Sequence, residues 1–166
     1  MKLKIFFSIL SIAALAVSCR PDKYETMSIA EKPVDNLTGT WKLTKVIQKD
    51  EQSEIKNSPY VSMDITNLLP YNTMTLRLDS KNGVPTNFVV TPGTAPQVIK
   101  NNTGKWLIND AKQPTKARFI NGLDTTYIDI NSYPRSFDNS FELKVYKYEQ
   151  PSGKLAQSYT YQFTKQ

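Results

Sequence analysis

The sequence predicts an all-β protein whose main domain, residues 37–166, is an antiparallel up-and-down barrel of about eight strands. Apolar residues alternate with polar ones in several short segments, which is typical of strands that are buried on one face only. Turn-forming residues separate these segments, and no long segment has a helical period. Closing the sheet into a barrel removes its open edges, and a two-sheet sandwich is the competing arrangement.

The strand signals follow one another along this domain. Alternation occurs in five groups of residues: Met74, Leu76 and Leu78; Trp106 and Ile108; Ile128 and Ile130; Phe141, Leu143 and Val145; Tyr159, Tyr161 and Phe163. Turn residues stand between them at 79–83, 101–104, 121–122 and 151–153. The strongest signal is a hairpin in which residues 140–148 pair with residues 155–164. Only residues 53–69 are ambiguous, because an alternating stretch there adjoins residues that fit a helical turn.

The N-terminus has the layout of an export signal. Lys2 and Lys4 form a short basic start, and residues 5–17 are uncharged and apolar. A membrane-spanning helix needs about 20 such residues, so this run predicts a signal peptide over residues 1–18 that is removed after export. The run ends in Ala-Val-Ser-Cys at 16–19, which resembles the lipobox of bacterial lipoproteins, although alanine stands where that pattern favours leucine.

Cys19 is the only cysteine in the chain, and it lies where the export signal predicts processing. We therefore expect a lipoprotein that is held in the outer membrane of the cell envelope by acyl chains, palmitate among them, on Cys19. The rival interpretation is a cysteine that happens to follow an ordinary cleavage site. Residues 19–36 mix charges with prolines and predict a flexible tether after the lipidated cysteine. Periplasmic and surface-facing positions both stay open.

The composition excludes several chemistries. The chain of 166 residues has no histidine, so it lacks the base of serine and cysteine hydrolases, and a single cysteine forms no thiolate zinc cluster. We therefore expect a binding protein with no metal and no cofactor, and not an enzyme. The 21 basic and 15 acidic residues are scattered among the predicted strands, so nucleic acid is not an expected partner.

A Gly-x-Trp motif, Gly39 and Trp41, opens the first predicted strand. It resembles the entry of lipocalins and related calycins, in which the glycine permits close backbone approach and the indole plugs the barrel base. A cationic side chain from a late strand, usually arginine, often covers that tryptophan, and the resemblance implies this role for Lys165. The region from residue 37 onward is similar to a family of lipocalin-like lipoproteins of Bacteroidetes in the segments 102–108, 119–130 and 159–165.

The resemblance implies a barrel that binds a small apolar or amphipathic ligand or serves as an envelope accessory protein. An interior of this size admits either a filled core or a pocket. Trp41 is predicted to be a core residue, whereas Trp106 fits a core or a cavity wall equally well. The predicted ligand or core wall consists of Trp106, Met74, Leu76, Phe141, Leu143, Tyr159, Tyr161 and Phe163.

A surface lipoprotein that binds carbohydrate is the alternative. Sugar-binding sites combine aromatic faces with amides and carboxylates. The tyrosines expected to point outward are Tyr127, Tyr133, Tyr146 and Tyr148. Strand propensity alone also explains tyrosines at such positions.

Two weaker signals involve acidic residues. Glycoside hydrolysis needs two facing carboxyl groups, and the nearest cluster in sequence is Asp124, Asp129, Asp138 and Glu142, whose spacing fits solvated strand and turn positions. The segment Asp124-Thr125-Thr126 resembles the short motif at which Bacteroidetes-type bacteria attach O-glycans, which makes Thr125 a candidate acceptor. The same segment also fits a plain turn into the next strand.

Overall fold

A computed structural model describes residues 32–57, 59, 61–135 and 138–166. The predictions for the signal peptide over residues 1–18, its helix, the lipidation of Cys19 and most of the tether lie outside the described residues.

The described residues form one short α-helix, one 3₁₀ turn and nine strands. Helix α1 is Pro33–Leu37, and the 3₁₀ turn is Tyr71–Thr73. The strands are β1 (Gly39–Asp50), β2 (Ser62–Asp64), β3 (Thr75–Lys81), β4 (Val84–Thr91), β5 (Thr103–Ile108), β6 (Lys116–Asn121), β7 (Asp124–Ser132), β8 (Ser140–Tyr148) and β9 (Leu155–Lys165).

Eight of these strands close into one antiparallel barrel. The order is β1-β3-β4-β5-β6-β7-β8-β9, and β9 pairs back onto β1, where Trp41 lies opposite Lys165 and Asp50 opposite Gln157. The first residues of β1 pair with β3, and its later residues 47–49 pair with the short strand β2. The all-β, closed antiparallel barrel that the sequence predicts is confirmed, and the sandwich is not formed.

Successive strands run in opposite directions, so their connections alternate between two ends. We call the end that carries α1, the β3–β4 turn and the β5–β6 and β7–β8 loops the lower end. The upper end carries the β1–β2, β2–β3 and β4–β5 loops together with the β6–β7 and β8–β9 turns. Nothing in the described part of the chain is a helix long and apolar enough to span a membrane.

Most strand positions match their sequence signals. Strand β8 covers the predicted residues 140–148, and β9 extends the predicted strand by one residue to Lys165. The ambiguous segment 53–69 contains only the three-residue strand β2, between two regions of turns. Three of the expected turns are partly wrong, because strands extend into them: residues 79–81 belong to β3, residues 103–104 to β5, and Asn121 to β6.

Helix α1 closes the lower end of the barrel. Pro33 stands in its first turn, where a missing N–H costs nothing, and Val34 and Leu37 are buried against the barrel. The indole Nε1 of Trp41 donates a hydrogen bond of 2.7 Å to the Leu37 carbonyl. Residues 33–36, which the sequence assigns to the tether, are therefore helical and pack on the barrel domain.

Large aromatic side chains fill the lower and middle interior. On one side Phe141 packs edge-on against Trp41, with ring centroids 4.7 Å apart, and stacks on Phe163 at 5.0 Å. On the other side Phe88 packs edge-on against Phe119 at 5.0 Å. All five rings are at most 1% exposed, so this part of the barrel is a packed core.

Candidate functional site

The two residues of the Gly-x-Trp motif pack together with Lys165 at the lower end of the barrel. Trp41 is fully buried, and the Nζ of Lys165 lies 5.2 Å from the centroid of its ring, which is the role that the resemblance implies for this lysine. Gly39 has a φ of +133°, and a Cβ there would lie 3.0 Å from Cε of Lys165. Because Gly39 has no side chain, the Lys165 side chain has room to cross over the indole.

Most of the predicted interior residues belong to the packed core. Trp106 is 1% exposed, and its Nε1 donates a hydrogen bond of 2.8 Å to the Asp79 carbonyl, so this residue is core and not cavity wall. Full burial is shared by the other members of this set: Met74, Leu76, Phe141, Leu143 and Phe163. Only Tyr159 and Tyr161 lie where the interior meets the upper end.

Three tyrosines and a glutamine form the site that we call the tyrosine mouth: Tyr71, Tyr159, Tyr161 and Gln157. Tyr161 lies in register between two buried residues of β1 and β8, and Tyr159 lies two residue pairs nearer the upper end. The rings of Tyr159 and Tyr161 stack at 6.3 Å, and Tyr71 packs edge-on against Tyr161 at 6.3 Å. The Tyr159 hydroxyl donates a hydrogen bond of 2.8 Å to Oε1 of Gln157.

Exposure changes along the tyrosine mouth. Tyr161 is 8% exposed and Tyr71 is 4% exposed, whereas Tyr159 and Gln157 are half-buried. Burial raises the pKa of Tyr161 and of Tyr71; the phenol of Tyr159 raises both further, and that of Tyr71 also raises the pKa of Tyr161. Both phenols therefore stay neutral at physiological pH and present hydroxyl groups that donate or accept hydrogen bonds.

The rest of the upper end is covered by the β4–β5 loop. Its Ile99 is fully buried, and Ala95 and Val98 pack against the core. The backbone N–H of Lys100 donates a hydrogen bond of 3.3 Å to Oγ1 of Thr126, which ties this loop to β7. The tyrosine mouth therefore lies beside the loop, over the β8-β9-β1 wall.

Exposed apolar side chains are concentrated at the upper end. Ile55 is 82% exposed in the β1–β2 loop, Leu68 is 65% exposed in the β2–β3 loop, and Leu123 is fully exposed in the β6–β7 turn. These three side chains lie in three separate connections at this end.

The predicted outward tyrosines divide into two groups. Tyr127 is 72% exposed and Tyr148 is 56% exposed, and both point away from the interior with the half-buried Tyr146. The Nζ of Lys144 lies 5.2 Å from the Tyr146 ring centroid. Tyr133 instead packs partly against the core at the lower end, so it does not belong to this outer surface.

The four carboxylates considered for glycoside hydrolysis do not all come together, although Asp129 of β7 and Glu142 of β8 lie on the same outer face of adjacent strands. Asp124 forms an ion pair with Lys100 at the upper end, whereas Asp138 lies in the β7–β8 loop at the lower end. Glu142, on β8, accepts a hydrogen bond of 2.7 Å from Nδ2 of Asn131. Within the described ranges no three acidic or other metal-binding side chains come together as a metal site.

Thr125 is the second residue of β7 and pairs with Ile120. Residues 124–126 therefore begin a strand directly after the β6–β7 turn, and the side chain of Thr125 is half-buried. O-glycosylation of this residue stays a prediction.

Sequence reasoning missed Tyr71 and Gln157. Tyr71 enters the mouth from a loop, so no local period identifies it, and its contact with Tyr161 is visible only in the fold. Gln157 stands two residues before Tyr159 on the same strand face, and extending the β9 alternation backwards would have found it.

The fold and this site define a class of protein: a closed antiparallel β-barrel with a packed interior and an aromatic cluster, partly exposed at Tyr159, toward one end. No protein-family model matches the chain, and no curated protein is significantly similar to it in sequence.

Proposed function

We propose that this protein is a lipocalin-like lipoprotein of the bacterial cell envelope that binds a small amphipathic ligand at the tyrosine mouth. One observation carries the proposal: at the upper end the interior changes from a fully buried apolar core to neutral phenols and an amide. Phenols and amides supply directional hydrogen bonds, while the stacked rings supply an apolar surface, which together suit a molecule with both characters.

The packed core limits the size of this ligand. Leu143 and Val46 are the cross-strand partners of Tyr161, and both are at most 2% exposed. The apolar part of a ligand therefore finds no space in the barrel interior below Tyr161. The ligand's apolar part is therefore short, comparable to one ring, and its polar part faces the half-buried Gln157.

The membrane attachment is the other half of the proposal. The lone Cys19 behind the export signal supports lipidation, and the chain enters the barrel through α1 at the lower end. The tyrosine mouth lies at the opposite end of the barrel from this entry. A Cys19→Ala variant is expected in the soluble fraction after carbonate washing, and retention on the membrane would contradict lipidation.

Native mass spectrometry of protein released from membranes in mild detergent tests ligand binding. We expect a small-molecule adduct on the wild type that is lost from Tyr159→Ala, because this change removes the half-buried ring and its hydroxyl. Tyr127→Ala is the matched control, since Tyr127 is exposed on the outer wall, and it should keep the adduct. A wild type without an adduct, or an adduct that Tyr159→Ala retains, would refute the proposal.

Carbohydrate binding is a second candidate function. The specific observation in its favour is the exposure of Tyr127 and Tyr148 on the outer surface of the barrel, together with the half-exposed Tyr146. A glycan array probed with the purified protein tests this candidate, and the absence of any bound glycan would exclude it.

A further inference from the structure

A pocket of about 410 Å³ opens at the lower end of the barrel, far from the tyrosine mouth along the strands. It lies where the β5–β6 loop meets the end of β7 and the β7–β8 loop. The side chains that give it its chemical character are Gln113, Asn131, Tyr133, Arg135 and Asp138. Its volume is within the range of pockets that hold small ligands, about 300–1,000 Å³.

The walls of this lower pocket are held in place by hydrogen bonds. Oδ1 of Asn109 accepts bonds of 2.9 and 2.8 Å from the backbone N–H groups of Thr115 and Lys116, and Nδ2 of Asn109 donates to Oγ1 of Thr115 at 2.9 Å. The Ile130 N–H donates a bond of 2.8 Å to the Thr115 carbonyl, which joins the loop to β7. Binding to preorganised walls costs little ordering entropy.

The polar groups of the lower pocket include both donors and acceptors. The guanidinium of Arg135 forms none of the ion pairs found among the described residues, and its side chain is exposed to the pocket. Oδ2 of Asp138 accepts a bond of 3.2 Å from the Arg135 backbone N–H, which holds this carboxylate within the same loop as Arg135. Nδ2 of Asn131 is engaged with Glu142, which leaves its carbonyl oxygen as an acceptor.

This combination fits a sugar better than an ion or a lipid. Each hydroxyl of a pyranose both donates and accepts a hydrogen bond, so a cationic donor and a carboxylate acceptor that line one pocket can engage different hydroxyls. The ring of Tyr133 supplies an apolar face against which the C–H side of a pyranose can pack. A simple anion would be repelled by Asp138, and the charged side chains disfavour an acyl chain.

We propose that the lower pocket binds a pyranose unit of a glycan, with Arg135 and Asp138 engaging its hydroxyls and Tyr133 packing on its ring. This inference shares carbohydrate as the ligand with the second candidate function, but it rests on the lower pocket and not on the outer-wall tyrosines. The pocket lies at the same end of the barrel as helix α1.

A glycan array followed by calorimetric titration of the best soluble oligosaccharide tests the inference. We expect Arg135→Gln and Asp138→Asn each to lower the affinity for that oligosaccharide by about tenfold or more. This is the loss typical of removing a hydrogen bond to a charged group. Both side chains are exposed, so thermal unfolding should stay at the wild-type midpoint. The matched control is the pair of outer-wall variants Tyr127→Ala and Tyr148→Ala, which should bind as the wild type does.

Two results would overturn the assignment in different ways. Affinity that survives Arg135→Gln and falls in Tyr127→Ala or Tyr148→Ala would place the glycan on the outer wall, which keeps carbohydrate binding but refutes the lower pocket. A wild-type protein that binds no glycan on the array would refute both carbohydrate binding and the lower pocket.

Discussion

Gly104 is the position where the barrel leaves least room for a side chain. It is the second residue of β5, with a φ of +153°, and it faces Phe88 of β4. A Cβ at this position would lie 2.1 Å from the Ile120 carbonyl oxygen and 2.8 Å from Cε1 of Phe88. Both distances are below van der Waals contact, and the carbonyl is main chain that cannot rotate away.

Gly104→Ala therefore combines two costs. A non-glycine residue at this φ costs about 1–3 kcal/mol of backbone strain, and forcing a methyl group into a packed site costs about another 1–3 kcal/mol. The sum, about 4 kcal/mol, would lower the midpoint of thermal unfolding by roughly 10–20 °C for a domain of this size. Circular dichroism at the β-sheet minimum of the purified variant measures the shift.

Gly122→Ala is the matched control. Gly122 has a φ of +60°, and nothing lies within 4 Å of a Cβ built there. This variant carries the backbone strain without the clash, about 1–2 kcal/mol. Equal unfolding midpoints for Gly104→Ala and Gly122→Ala would refute the close packing of β4, β5 and β6 at Gly104.

Three further predictions concern single side chains. Lys165→Met removes the cation over Trp41 and should lower the free energy of unfolding by about 0.5–1 kcal/mol, while Lys165→Arg should not, as denaturant titration can measure. The raised pKa of Tyr161 contributes stability that is complete below the ordinary phenol value of about 10 and is lost as the pH rises above it. In Tyr161→Phe the free energy of unfolding should therefore fall less steeply as the pH rises above about 10. The same pH dependence as in the wild type would contradict this. The hydrogen bond from Lys49 lowers the pKa of Glu51, so its contribution is present above about pH 4.3 and is lost as the pH falls through the lowered value. Glu51→Gln should lose less stability on acidification than the wild type, and an equal loss would exclude this role.

The sequence predicts the strands that have a strong local pattern. Strands β8 and β9 alternate without interruption and are joined by a proline- and glycine-containing turn, so their pairing was predictable within one residue. The segment at 53–69 has no such uninterrupted alternation. Its strand β2 pairs with β1 over only three residues, and all three are exposed, so burial leaves no pattern in the sequence. Gly104 is a residue type that predicts a turn, yet it lies within strand β5. Glycine is needed there because a side chain would collide with the Ile120 carbonyl.

Whether the interior is filled could not be predicted from alternation alone. Leu143 and Tyr161 both face inward, and only the covering elements decide which of them reaches the opening. Tyr71 and Ile99 come from two loops on either side of the upper end, and their positions depend on contacts between residues distant in sequence. The lower pocket also joins two separate loops, so no single segment contains its signal.

Crystals of the protein soaked in 4-bromophenol test whether the tyrosine mouth accepts a small aromatic ligand, because the bromine atom can be located by its anomalous scattering. We expect a bromine peak beside Tyr159 at the upper end, within contact of the rings of Tyr71 or Tyr161. A strongest peak between Phe88 and Phe119 in the middle of the barrel would show a hollow interior and contradict the account. Absence of any peak at the upper end under saturating probe would contradict it as well.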